Sequence, residues 1–114
     1  MIAGYATPEG TKKFAERQNQ DSQKNYKNVH NLTLSNVGIG TYLGNPDIET
    51  DKLVEAAVKK SILGGINVVD SAINYRAQKA ERSMGNAISE LINNNDISRE
   101  EIFVSTKNGY VTND

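Results

Sequence analysis

Three short β-branched runs separated by two helical patterns fill residues 37–106, and that alternation limits the fold more than any other feature. Val37–Thr41, Ile66–Val69 (running into Asp70) and Ile102–Thr106 read as strands. Between the first two, Leu53, Val54, Ala57, Val58, Ile62 and Leu63 recur at the spacing of one helical face. Between the second and third, Ala80, Met84, Ala87, Ile88, Leu91 and Ile92 do the same. Asp47 or Thr50 can cap the first helix, and Gly64-Gly65 supplies a left-handed stop. Asn93–Asp96 ends the second, and Ser98 with Glu101 has the spacing of a capping box around a short helical turn. A helix between two strands gives the length needed for a parallel crossover, so the order predicts an α/β fold with a parallel sheet.

Such a sheet is either open and doubly wound or closed into a barrel. An open sheet would carry a dinucleotide fingerprint in its first loop. Gly38-Ile39-Gly40 begins like one, but Leu43 stands where glycine or alanine is required, and Gly44 comes one residue late. Pro46 then delays the helix whose N-terminus should meet the phosphates, and Asp70 lies farther on than the ~20 residues at which a ribose-binding acid sits. A barrel places its functional residues at the C-terminal strand ends and in the loops that follow. Asp70 and Lys107 are at such ends, with Tyr75 in the loop between them. Alternation puts Asp70 on one face with Val68 and Ile66, and Lys107 on one face with Ser105 and Phe103. On adjacent strands ~4.8 Å apart, Asp70 and Lys107 can then form an ion pair at the mouth.

Upstream the texture differs. Residues 9–31 are dominated by Lys, Glu, Gln, Asn and Asp, so 1–31 is expected to be a polar, solvated and partly mobile extension with one short helical turn around Thr11–Arg17. Residues 32–114 form the structured segment. A formal net charge of −1 leaves no electrostatic footprint for nucleic acid. No apolar run approaches the ~20 residues that span a bilayer, and Met1–Tyr5 lacks a secretory n-region. With 0 cysteines there is no disulfide framework or thiolate nucleophile, and no metal site is expected. Together these features lead to the expectation of a cytoplasmic protein with neither nucleic acid nor a membrane as partner.

Asp70, Tyr75 and Lys107 supply the parts for carbonyl reduction. A phenol is protonated at neutral pH and can give its proton to a carbonyl oxygen that receives a hydride on carbon. A neighbouring ammonium stabilises the phenolate left behind, and a carboxylate keeps that ammonium charged and oriented.

The stretch Gly65-Ile66-Asn67-Val68-Val69-Asp70-Ser71-Ala72-Ile73-Asn74-Tyr75 resembles the aldo-keto reductase signature, in which an aspartate precedes the catalytic tyrosine by five residues. Ala80–Ala87, with Glu81 and Gly85, resembles the next helix of that family, and Arg99–Lys107 resembles the strand that ends on the catalytic lysine. Val37-Gly38-Ile39-Gly40-Thr41 resembles the first barrel strand, so the likeness runs from about Leu32 to Gly109. The resemblance implies the N-terminal part of a (β/α)₈ TIM barrel and reduction of aldehydes or ketones with NADPH, less often NADH. It makes Tyr75 the proton donor, Lys107 the modulator of its ionisation and Asp70 the partner of the lysine. It puts Gly40, Thr41 and Asp70 near the cofactor, and leaves Asn74 and Arg76 to line the substrate mouth.

A closed barrel takes ~250 residues, whereas about three of eight βα units are present. The family's catalytic histidine follows the fourth strand, and His30 precedes the first. The expected reading is therefore part of a reductase, inactive and without bound cofactor when isolated. Such a piece belongs to a longer polypeptide or is completed by self-association or another chain. The alternative is a non-catalytic pseudoenzyme or regulatory subunit derived from the same barrel.

Overall fold

A computed structural model describes residues 2–109. The elements are α1 (Pro8–Glu16), a 3₁₀ turn (Gln20–Asn25), β1 (Tyr26–Val29), β2 (Leu32–Ser35), β3 (Ile39–Gly40), α2 (Ile48–Leu63), β4 (Val68–Asp70), α3 (Lys79–Asn93), a second 3₁₀ turn (Arg99–Glu101) and β5 (Phe103–Ser105). β1 and β2 form an antiparallel hairpin, while β3, β4 and β5 form a parallel sheet in that order. The chain is thus α/β with a parallel sheet, as the alternation predicts. Residues 110–114 of the expected barrel segment lie outside the described residues.

Each helix begins and ends for a local reason. The Asp47 carboxylate accepts from the Thr50 amide and caps α2, and Gly65 (φ +108°) turns the chain after it. Glu101 accepts from both the amide and the hydroxyl of Ser98, which forms the expected turn before β5. Val58 and Ile62 of α2 pack with Val69 of β4 and with Met84, Ala87, Ile88 and Leu91 of α3. Burial of side chains of this size contributes roughly 1.5–3 kcal/mol each. Ile39 and Val104 pack against the same cluster. Because Ile39 pairs with Val69, and Val69 with Val104, the three residues share the helix-covered face. Gly40, Asp70 and Ser105 then share the opposite face.

Two expectations about this region change. The run Val37–Thr41 yields only Ile39–Gly40 as strand. The Asn36 amide donates to Asn25 O and the Ser35 hydroxyl to Val37 O, which holds residues 36–37 to the hairpin instead of β4. The six apolar positions of α2 are not equally buried either: Leu53 is 66% and Leu63 57% exposed, so the stripe is wider than the sheet and α3 can cover.

The larger correction concerns residues 1–31, expected to be solvated. Thr7 caps α1, Pro8 opens it, and Phe14 inserts into the core at 1% exposure. Gly10 lies so close to the Glu100 backbone that a Cβ would overlap it, and the Thr7 amide donates to Glu100 O at 3.0 Å. Arg17 pairs with the buried Glu101 carboxylate. The boundary expected between 31 and 32 falls inside the hairpin turn, where His30 (φ +50°) and Asn31 (φ +67°) are both left-handed and solvent-exposed. One buried amide ties the hairpin to the sheet. Asn67, just before β4, accepts from Ser35 N at 2.9 Å and donates to Thr33 O at 3.0 Å and Glu101 O at 3.4 Å. The hairpin and α1 therefore sit at the N-terminal ends of β4 and β5. Among the described residues no helix is long and apolar enough to cross a membrane.

Candidate active site

The opposite ends of the same strands carry the polar residues. Asp70 closes β4 and pairs in register with Ser105 on β5, which leaves Lys107 just beyond the strand end. The ladder continues into the loops. Ser71 N donates to Ser105 O at 2.8 Å, and Ile73 N donates to Lys107 O at 3.1 Å. The loop that bears Tyr75 is thereby laid along the end of β5. Lys107 Nζ donates to Asp70 Oδ1 at 2.9 Å and to Ser71 O at 2.7 Å. An ammonium has three donors; beyond these two bonds, Nζ lies 5.1 Å from the centroid of the Tyr75 ring. Asp70, Tyr75 and Lys107 are thus brought together.

The hydrogen bond that Lys107 donates to Asp70 raises the lysine's pKa; partial desolvation lowers it by less, and Tyr75 adds a smaller upward contribution. A group raised on folding contributes stability that is fully present below its ordinary pKa and is lost as pH rises through the folded value. The lysine therefore stays an ammonium through neutral and mildly alkaline pH. An NMR titration of the Lys107 ε-carbon should show a lower pKa in Asp70→Asn than in the unaltered chain. Identical titration curves would remove Asp70 as the cause.

Gly40 is next to Asp70 in register, and a Cβ placed on it meets nothing within 4 Å, so the face beside the Asp70–Lys107 pair is free of side chain there. Thr41 is 3% exposed, and its hydroxyl donates to Asp70 O at 2.9 Å, so it fastens β3 to β4. Asn74 lies at the mouth with Tyr42 and Gly44. Arg76 lines the same mouth, as expected, but its side chain is 1% exposed and turns away to α2 and α3.

Three participants escape sequence reasoning. Tyr42, 62% exposed, meets Tyr75 edge-on with ring centroids 4.9 Å apart. The Ser71 carbonyl is a backbone group, which no residue pattern reveals. Glu81 on α3, named in the sequence only through its likeness to the family's helix and without a role, accepts from the Thr106 hydroxyl and so braces the residue before Lys107.

Residues 36–113 match the family model described as "Aldo/keto reductase family". The match covers more than half of the chain and includes Asp70, Tyr75 and Lys107. No curated protein matches the chain.

Proposed function

We infer the activity from a premise that the match supplies: this chain belongs to the aldo/keto reductase family, whose members generally use NAD(P)H. On that premise, residues 32–114 are the N-terminal segment of a (β/α)₈ barrel, and residues 1–31 complete its base. Two features support this reading. The strands follow one another in sequence order, and both crossover helices pack on one face, as in a barrel wall. The polar residues then gather at the C-terminal strand ends, where barrel sites lie.

The reaction is reduction of an aldehyde or ketone to an alcohol. Bound NAD(P)H supplies the hydride. Tyr75 donates its hydroxyl proton to the carbonyl oxygen, the Lys107 ammonium stabilises the phenolate that results, and Asp70 holds the ammonium in place. Gly40 leaves room for a cofactor beside the pair. Thr41 already spends its hydroxyl on Asp70 O, and so contributes by fixing β3. The observation that carries the assignment is a single ammonium held at 2.9 Å from Asp70 and 5.1 Å from the Tyr75 ring centroid.

The test is NADPH-dependent reduction of a simple aldehyde by the protein expressed in its source cells. Tyr75→Phe is expected to lower turnover by about 10²–10⁴-fold, the usual worth of a positioned acid. Turnover unchanged by Tyr75→Phe overturns the assignment. Purified residues 1–114 alone are expected to be inactive, and measurable turnover by them would remove the need for further strands. A second reading, a non-catalytic interaction subunit of the same barrel type, draws on the outer edges of β3 and β5, which pair with no strand among the described residues. It predicts that Tyr75→Phe leaves the protein's cellular function intact.

A further inference from the structure

We propose that Arg76 is a positioning residue that sets the Tyr75 ring against Lys107 and Tyr42. The proposal rests on Tyr75 being the proton donor.

The backbone after Tyr75 is unusual. Arg76, Ala77 and Gln78 have φ of +48°, +54° and +71°, three consecutive left-handed residues of which none is glycine. Side chains disfavour that region, and a run of them persists only where the surroundings over-determine it. Lys79 N donates to Arg76 O at 3.0 Å and Ala80 N to Tyr75 O at 3.3 Å, which closes the turn locally, but Gln78 makes no side-chain cap and none of these bonds anchors the turn to another element.

The Arg76 side chain does. Nη1 donates to Asp51 Oδ1 on α2 at 2.7 Å and to Asn45 O at 3.3 Å, and Nη2 donates to Ser83 Oγ on α3 at 3.2 Å. Lys79 Nζ approaches the other Asp51 oxygen at 3.8 Å. The planar fork thus joins three elements in one orientation. Asn45 belongs to the loop that carries Tyr42, and the Arg76 backbone is bonded to Tyr75. One guanidinium therefore fixes the two loops whose rings meet at 4.9 Å. A role in gripping substrate is at odds with the geometry: the side chain is 1% exposed and its terminal donors point at α2, α3 and the Asn45 carbonyl.

The experiment uses residues 1–114 with ¹³C-labelled tyrosine, Tyr75 being assigned by its loss in Tyr75→Phe. It reads the NMR cross-peaks from the Tyr75 ring to the Tyr42 ring and to the Lys107 ε-methylene. In Arg76→Ala and Asp51→Ala these are expected to fall by at least half, while amide shifts outside 42–54 and 71–86 hold. Arg76→Lys, which keeps the charge but not the fork, is expected to retain an intermediate intensity. Asp51 is partly exposed, so water can replace its carboxylate, and that variant decides the matter if Arg76→Ala does not fold. Undiminished cross-peaks in folded Asp51→Ala overturn the proposal whatever the aldehyde assay gives. Failure of the reductase reading has a different signature: turnover unaffected by Tyr75→Phe.

Discussion

Phe14→Ala is expected to lower the free energy of unfolding by about 3–5 kcal/mol, the range for truncating a buried aromatic. Phe14 is 1% exposed and shares its cluster with Val58, Ile62, Ile97 and Ile102, contributed by α2 and by the segment leading into β5. The polar residues around it in sequence hide this role. In a solvated tail the same change would cost under about 0.5 kcal/mol. The check is a urea denaturation series, in which the midpoint should fall with the slope unchanged. A shift worth less than about 1 kcal/mol would return α1 to the status of a loosely attached extension.

Asn67→Leu is expected to be comparably severe, about 2–5 kcal/mol, because it leaves partners unmatched instead of opening a cavity. Leucine approximates the volume of asparagine but cannot accept from Ser35 N or donate to Thr33 O, which the amide now contacts at 2.9 and 3.0 Å. Each buried polar group left unpaired costs about 1–3 kcal/mol. The effect should be local before it is global. Amide exchange at Ser35 is expected to accelerate well beyond the change at Val69, whose strand keeps both of its neighbours. Equal acceleration at both positions would show that Asn67 does not clamp the hairpin separately.

What the sequence made legible follows from periodicity. The α3 face is complete because five of its six apolar positions are buried and Ile92 packs at the margin. Alternation along β4 and β5 anticipated the approach of Lys107 to Asp70, since Asp70 and Ser105 are partners and Lys107 lies two residues further on. The N-terminal region was illegible because its burial depends on few residues, chiefly Phe14, Ala15 and the partly buried Tyr26, set among charged and amide side chains. The hairpin turn was hidden because His30-Asn31 adopts left-handed angles without the glycine that normally signals them. The inward turn of the Arg76 side chain was hidden because a charged residue beside the site tyrosine gives no hint of an acid on the preceding helix. Tyr42 reaches Tyr75 across two loops, a contact that no local pattern encodes.

The pairing of Gly40, Asp70 and Ser105 across the sheet has a consequence for how this site can fail. A side chain on a strand points to one face or the other, so a slip of one residue in β4 inverts the whole strand. Val69 would leave the helices, and Asp70 would turn into the cluster built from Val58, Ile62 and Ile88. No continuous path of weakened geometries connects the two arrangements. A mispaired chain lacks the Asp70–Lys107 pair outright, so a population of imperfectly folded molecules would show a reduced fraction of chains with the raised Lys107 pKa, not a uniformly smaller shift.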